Sequence, residues 1–188
     1  KADIDYFLTR TVSEAVDELL NNTTVPSPPL RDYGLLQDDD GVLYDDLGVA
    51  RGQTWVNDPN LASADVIRGS INRARVASLK KWWAGLIITQ GRSIQEKMVL
   101  FWHHHYAVQE SEIGNAAYLY RHHNLLRSSA LGNVKTLARE VTIDPAMLVH
   151  LNGYLNSKQA PDENFARELQ ELFTIGIDAT PSYSENDV

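Results

Sequence analysis

A run of histidines, His103, His104 and His105, and a carboxylate that breaks its helix's pattern, Glu168, are the residues of this 188-residue sequence whose types could do chemistry. A carboxylate beside an imidazole in a dry setting can act as a general acid or base, because such surroundings move pKa values toward neutrality. Glu168 falls within a helix read over 163–176, on its apolar side between Leu172 and Ile175, with Asn164 one turn earlier on the same edge. An ionised carboxylate there is costly unless something pairs with it. His105 is the first candidate partner, then His103, then Arg121. With Asn164 and Glu171 alongside, the same edge could bind a hard cation, or orient a metal held by His103 or His105. Adjacent histidines cannot chelate one ion from a regular helix, so the triplet specifies neither a metal nor a cofactor. Glu163, Arg167 and Glu171 repeat at i, i+4 as a surface ladder; if buried, Arg167 becomes a candidate anion clamp. A competing reading explains the same residues without a substrate: buried polar pairs between helices satisfy groups and fix register.

The helix that carries Glu168 is fully punctuated. Pro161 suits a first turn, Asp162 and Glu163 put negative charge at the positive end of the dipole, and Gly176 can close it in the left-handed conformation. Phe165, Leu169, Leu172 and Phe173 form its apolar arc, widened by Ile175. The histidines sit on a helix from Ile94 to about Val108, opened by a capping box, Ser93-Ile-Gln-Glu96. That helix is apolar almost all round and is read as central, with His105 buried and hydrogen-bonded on its main apolar arc beside Met98 and Phe101. Further helices are read over 3–20, with Ser13 as an internal cap, over 62–90, 115–130 and 134–141, and from Asp144-Pro145 through Leu151. The tail from Asp178 is read as loop, ending in Ser184-Glu-Asn-Asp, the cap of a helix cut off.

Between Thr23 and Asn60 no period is sustained, and a loop of that length is expected to wrap the helical body or to carry function. Its aspartates, Asp38, Asp39, Asp40, Asp45 and Asp46, lack the spacing of a calcium-binding loop and read as a solvated acidic turn. In 62–90, Arg68, Arg73, Arg75, Lys80 and Lys81 beside Trp82 and Trp83 read as amphipathic packing with a salt-bridged surface. The class is all-α: an irregular multi-helix domain with a long N-terminal loop segment, about 23–60, and little or no sheet. One domain over 1–188 suits a chain that is 43% hydrophobic and 22% charged.

A net charge of −8 argues against a nucleic-acid or anionic-membrane surface, since both attract basic patches. No apolar run approaches the roughly 20 residues that span a bilayer. The absence of cysteine excludes disulfides, thiolate metal sites and cysteine nucleophiles in this span. No nucleophile elbow, HExxH or Gly-rich phosphate loop is present. The start, Lys1-Ala-Asp, has neither an initiator Met nor a signal-peptide core, and reads as a mature, trimmed or excised piece.

Glu96-Lys-Met-Val-Leu-Phe-Trp-His-His-His-Tyr106, Ala130-Leu-Gly-Asn133, Asp144-Pro-Ala-Met-Leu148 and Glu163 to Gly176 together resemble, in order, the blocks of a bacterial family known as domain of unknown function 1800. Tyr106 stands for that family's usual Phe, and Gln170 for a usual apolar residue. The family's histidine block specifies the positions of His103 and His105 and leaves His104 free. The resemblance implies a bacterial origin, export to the periplasm or outside, and a chain that continues beyond Val188, whose C-terminal remainder would be this span's partner. It implies no established activity. Two functions stay open: a helical protein acting through binding or assembly with a protein partner, and an enzyme gathering Glu168, Asn164 and the His103/His105 helix.

Overall fold

A computed structural model describes residues 2–38, 40–60, 65–176 and 183–184. Within them the chain runs α1 (Ala2–Phe7), α2 (Val12–Asn21), β1 (Leu36–Gln37), β2 (Leu43–Tyr44), α3 (Asp65–Thr89), α4 (Gln95–His105), α5 (Glu110–Ile113), α6 (Ala116–Ser128), α7 (Val134–Thr142), α8 (Pro145–His150), a 3-10 turn (Gly153–Leu155) and α9 (Glu163–Phe173). The fold is mostly helical but not strictly all-α, because β1 and β2 pair antiparallel, Leu36 opposite Tyr44. Asp39, the start of the 62–90 helix and most of the tail beyond Asp178 lie outside the described residues.

Local chemistry sets most helix starts. Asn133 caps α7 by accepting from Thr136 N, Asp144 caps α8 with Pro145 in its first turn, and Asp162 caps α9 by accepting from Asn164 N and Phe165 N. Gly176 adopts φ 85°, the left-handed closure expected after α9. The helix expected over 3–20 is instead two helices. Thr11 and Glu14 form a reciprocal capping box that starts a new helix, so Thr11 is the cap and not Ser13. The capping box expected at Ser93–Glu96 does not form: the N-cap is Ile94, with no side-chain cap bond. The Glu96 carboxylate is committed elsewhere, to a buried ion pair with Arg127. Nor is α4 buried all round, since Phe101 is exposed and only Glu96 and Val99 are fully buried. The four-residue helix α5 was not anticipated.

Two apolar clusters form the core. One gathers Tyr106, Leu126, Leu137, Val141, Met147, Leu151, Phe165 and Phe173, from α4's end through α9. The other packs Val49, Trp55 and Val56 against Val76 and Leu79 of α3 and Ala116 of α6. Helix α6 thus feeds both. On α9 the buried face is narrower than expected: Phe165 and Phe173 are buried, while Leu172 and Ile175 are exposed. Gly153 stands where Phe165 crosses the chain; a Cβ there would lie 2.5 Å from the ring, so no larger residue fits.

The segment 23–60 wraps the helical body, as a loop of that length is expected to do. Trp82 Nε1 donates to Ser27 O (2.8 Å), Ser78 Oγ donates to Leu30 O (2.8 Å), and Lys81 pairs with Asp32 (2.5 Å). Lys80 and Lys81 make surface ion pairs, as expected, but Arg75 does not stay outside. It is buried, with Nε and Nη2 on Asp46 (3.2 and 3.0 Å) and Nη2 also on Asp58 (2.7 Å). Burial alone would lower the Arg75 pKa; hydrogen bonds with Asp58, Tyr33 and Asp46 outweigh it and raise it. Asp46 is therefore not part of a solvated acidic turn: it is buried, while Asp45 stays exposed and pairs with the buried Arg31. Removing one member of such a pair strands a buried charge, at about 3–5 kcal/mol. Arg75→Met should lose about that much in urea unfolding and expose the 23–60 segment to limited proteolysis; a loss under about 1 kcal/mol with the segment still protected would contradict this account of the strap.

Candidate functional site

The polar side chains that the fold brings together lie where α3, α4, α6 and α8 meet. Arg127 of α6 makes a fork-to-fork ion pair with Glu96 of α4, Nη1 to Oε1 at 2.5 Å and Nη2 to Oε2 at 2.6 Å, both side chains buried. Trp83 of α3 adds its indole N–H to Oε2 at 3.2 Å, and the Arg127 guanidinium lies 5.6 Å from the centre of the Trp82 ring. One turn earlier on α6, His122 bridges two more elements. Its Nδ1 meets Asp144 Oδ1 at 2.9 Å, and its Nε2 meets the Tyr106 carbonyl at 2.8 Å. Both partners are acceptors, so only a ring carrying protons on both nitrogens satisfies the two contacts at once. Asp144 Oδ1 also accepts from Ala146 N and Met147 N, which ties the α8 cap to the α6 imidazole.

The ring of His123, the next residue, has no hydrogen-bond partner among the described residues. It is 3% exposed, both ring nitrogens are sealed from solvent without partners, and the ring stands edge-on to Trp83 (4.5 Å) and Trp82 (5.4 Å). Burial drives its pKa down to about 3, helped by Arg127, His103 and His122. His103 packs on the same Trp83 at 4.9 Å, half-buried. Burial again comes first in lowering its pKa to about 4, with His122 and His104 adding to it. A neutral ring with so low a pKa is a weak base at neutral pH.

The residues singled out from sequence fall elsewhere. His105 is hydrogen-bonded as expected but not buried: in the last turn of α4 its Nε2–H donates to the Phe173 carbonyl at 2.9 Å, beside the Tyr106 ring. It therefore reaches α9, but at that helix's C-terminal end and not at Glu168. Glu168 is half-buried, without a hydrogen-bond or ion-pair partner among the described residues. Asn164 and Arg121 are exposed. Arg167 pairs with Glu163 (2.5 Å), the expected ladder step, while Glu171 accepts from the Tyr183 hydroxyl. Among the described residues no group of three or more His, Asp or Glu side chains is arranged to hold a metal ion.

Sequence reasoning missed Glu96, His122, His123, Arg127 and Asp144 as one cluster. A signal existed for part of it: Ala116, Tyr120, His123 and Arg127 stand four, three and four residues apart, one face of a helix, so an arginine on a buried face was legible.

A family model described as protein of unknown function (DUF1800) matches residues 1–188, and the chain belongs to that family. No curated protein and no solved structure matches it.

The buried neutral imidazole of His123 makes stability depend on pH. Unfolded histidine takes up a proton near pH 6.5, whereas folded His123 resists until about pH 3, so the unfolded state binds more protons across that window. The stability is complete above pH 6.5 and falls with acid, by about 1.4 kcal/mol per pH unit for this ring. Chemical denaturation at pH 7 and pH 5 should show His123→Leu losing about 2 kcal/mol less than the parent chain between the two. Equal losses would remove His123 as the cause.

Proposed function

The family supplies no reaction to inherit, and we propose that this chain acts through binding or assembly, presenting the apolar side of α1–α2 to a protein partner. One observation carries the reading. Helix α2 buries none of its ten residues, and its row Val12, Val16 and Leu20 stands 82%, 46% and 44% exposed. Ile4 and Leu8 of the preceding segment are exposed as well. A row of apolar side chains at i, i+4 and i+8 is the pattern that packs against another helix. The hairpin is held to the body largely through polar contacts: Ile94 N to Leu19 O, Asn22 Nδ2 to Arg92 O, and Arg92 with Asp3.

Charge selects the partner. Arg10 is committed to Glu18, and Arg92 to Asp3 and to the face of Tyr6, which leaves Asp5, Glu14 and Asp17 beside the apolar row without an ion pair among the described residues. An apolar stripe with an acidic border complements an amphipathic helix with a basic border. The bacterial origin and export that the family resemblance implies belong to the same proposal, as a setting in which such a partner would be met.

Val16→Ser with Leu20→Ser tests it. Both positions are exposed, so stability should change by only about 0.5 kcal/mol or so per site. Fluorescence anisotropy with an 18-residue labelled Leu/Lys amphipathic peptide should show binding to the parent chain and at least tenfold weaker binding to the double variant. No binding to the parent, or equal binding to both, would overturn the reading.

A further inference from the structure

An amphipathic helix with a basic border, the kind of partner that the α2 row calls for, is present in this chain itself. It is α7. Leu137 and Val141 bury one side of that helix in the core, while Val134 stands 54% exposed, with exposed Leu131 before the helix and Ile143 after it. Ala138 continues the Val134 row one turn later. Lys135 and Arg139 form the next row, both exposed, and their side chains make no hydrogen bond or ion pair among the described residues. Resting on α1–α2 as a docking surface, we propose that the partner is a second copy of this chain, its α7 seated on the exposed apolar row.

Charge gives the first argument. Asp5 and Asp17 border the α1–α2 row without ion pairs among the described residues, and α7 offers two cations in the same condition. Opposite charges at the edge of an apolar contact steer docking and fix its register. The cations Lys80 and Lys81 are already spent on Glu110 and Asp32.

The order of residues gives the second. Asp5 follows Ile4, Asp17 follows Val16, Lys135 follows Val134 and Arg139 follows Ala138. In each helix the charge therefore lies about 100° round from its apolar neighbour, in the same sense. Antiparallel packing with the apolar rows facing carries both charged rows to one side, Asp17 beside Lys135 and Arg139. Parallel packing carries them to opposite sides. Antiparallel packing also opposes the two helix dipoles. An α2–α2 contact between copies would set Asp17 against Asp17, and an α7–α7 contact would set cation against cation. The contact thus joins two different faces, and such a heterologous contact propagates into chains or closes into rings.

Sedimentation velocity of the whole chain, from micromolar to millimolar concentration, reads the association. The boundary should move past the dimer as concentration rises. Asp5→Lys with Asp17→Lys makes the chain less acidic and so relieves general repulsion, yet should weaken association by about tenfold or more. Lys135→Glu with Arg139→Glu should weaken it as much; all four positions are exposed. An equimolar mixture of the two variants should associate again, because the reversed faces match each other and so do the unreversed ones. A monomer at every concentration while the Leu/Lys peptide still binds would overturn the proposal and leave α1–α2 as a docking surface for another chain. Failure of the peptide to bind would remove that surface and the proposal with it. Association retained by both variants, or a mixture no better than its components, would also overturn the proposal.

Discussion

The two-pronged contact between Arg127 and Glu96 is the constraint around which the helices settle. A buried carboxylate and a buried guanidinium each lose several kcal/mol of hydration, and only close, matched geometry returns it. That requirement fixes α4 against α6, because both prongs must be satisfied together. It also draws in α3 through the Trp83 indole, so three helices share one polar anchor. The register has consequences along α6. With Arg127 fixed, His123 must enter the tryptophan layer, where its ring is uncharged, and His122 must turn toward Asp144 and the α4 C-terminus. Adjacent residues on one helix therefore differ in kind: the His122 ring has a hydrogen-bond partner at each nitrogen, and the His123 ring has none among the described residues.

Arg75 repeats the device two turns earlier on α3. It gathers Asp46 and Asp58 from the strap, so a segment with almost no regular structure is held by charge and by Trp55 and Val56 rather than by a backbone ladder. Both anchors use arginine, whose planar fork can serve two acceptors at once where a lysine would present a single point. Neither anchor needs a substrate to account for it, which is why the exposed apolar row of α2 carries the functional proposal instead.

What was legible in the sequence was local. The caps at Asn133 and Asp144 and the closure at Gly176 follow from a side chain and backbone within four residues of each other, and the structure forms them, whereas Pro161, expected in a first helical turn, lies before the Asp162 cap. The same local logic failed at Ser93–Glu96, where a capping pattern competed with a partner thirty-one residues away and the partner won. Glu168 shows the other limit. Periodicity marks a carboxylate as misplaced but cannot say which distant group meets it, and His105 meets the far end of α9 instead. The strap was readable as a wrapping segment from its length and prolines, while the aspartates that anchor it looked like solvent-facing charge, because their arginine partners stand 14 and 29 residues away in sequence. Family resemblance named the right family, as the match over 1–188 shows, yet no block alone distinguishes a scaffold from a site.

The central claim is that Glu96 and Arg127 act as one unit on which the helical arrangement depends. A double-mutant cycle with Glu96→Leu and Arg127→Met, read by urea unfolding, measures it most directly. Each single change should cost about 3–5 kcal/mol, because it leaves a buried charge unpaired, and the double change should cost well below the sum. Single losses under about 1 kcal/mol that simply add would contradict the account.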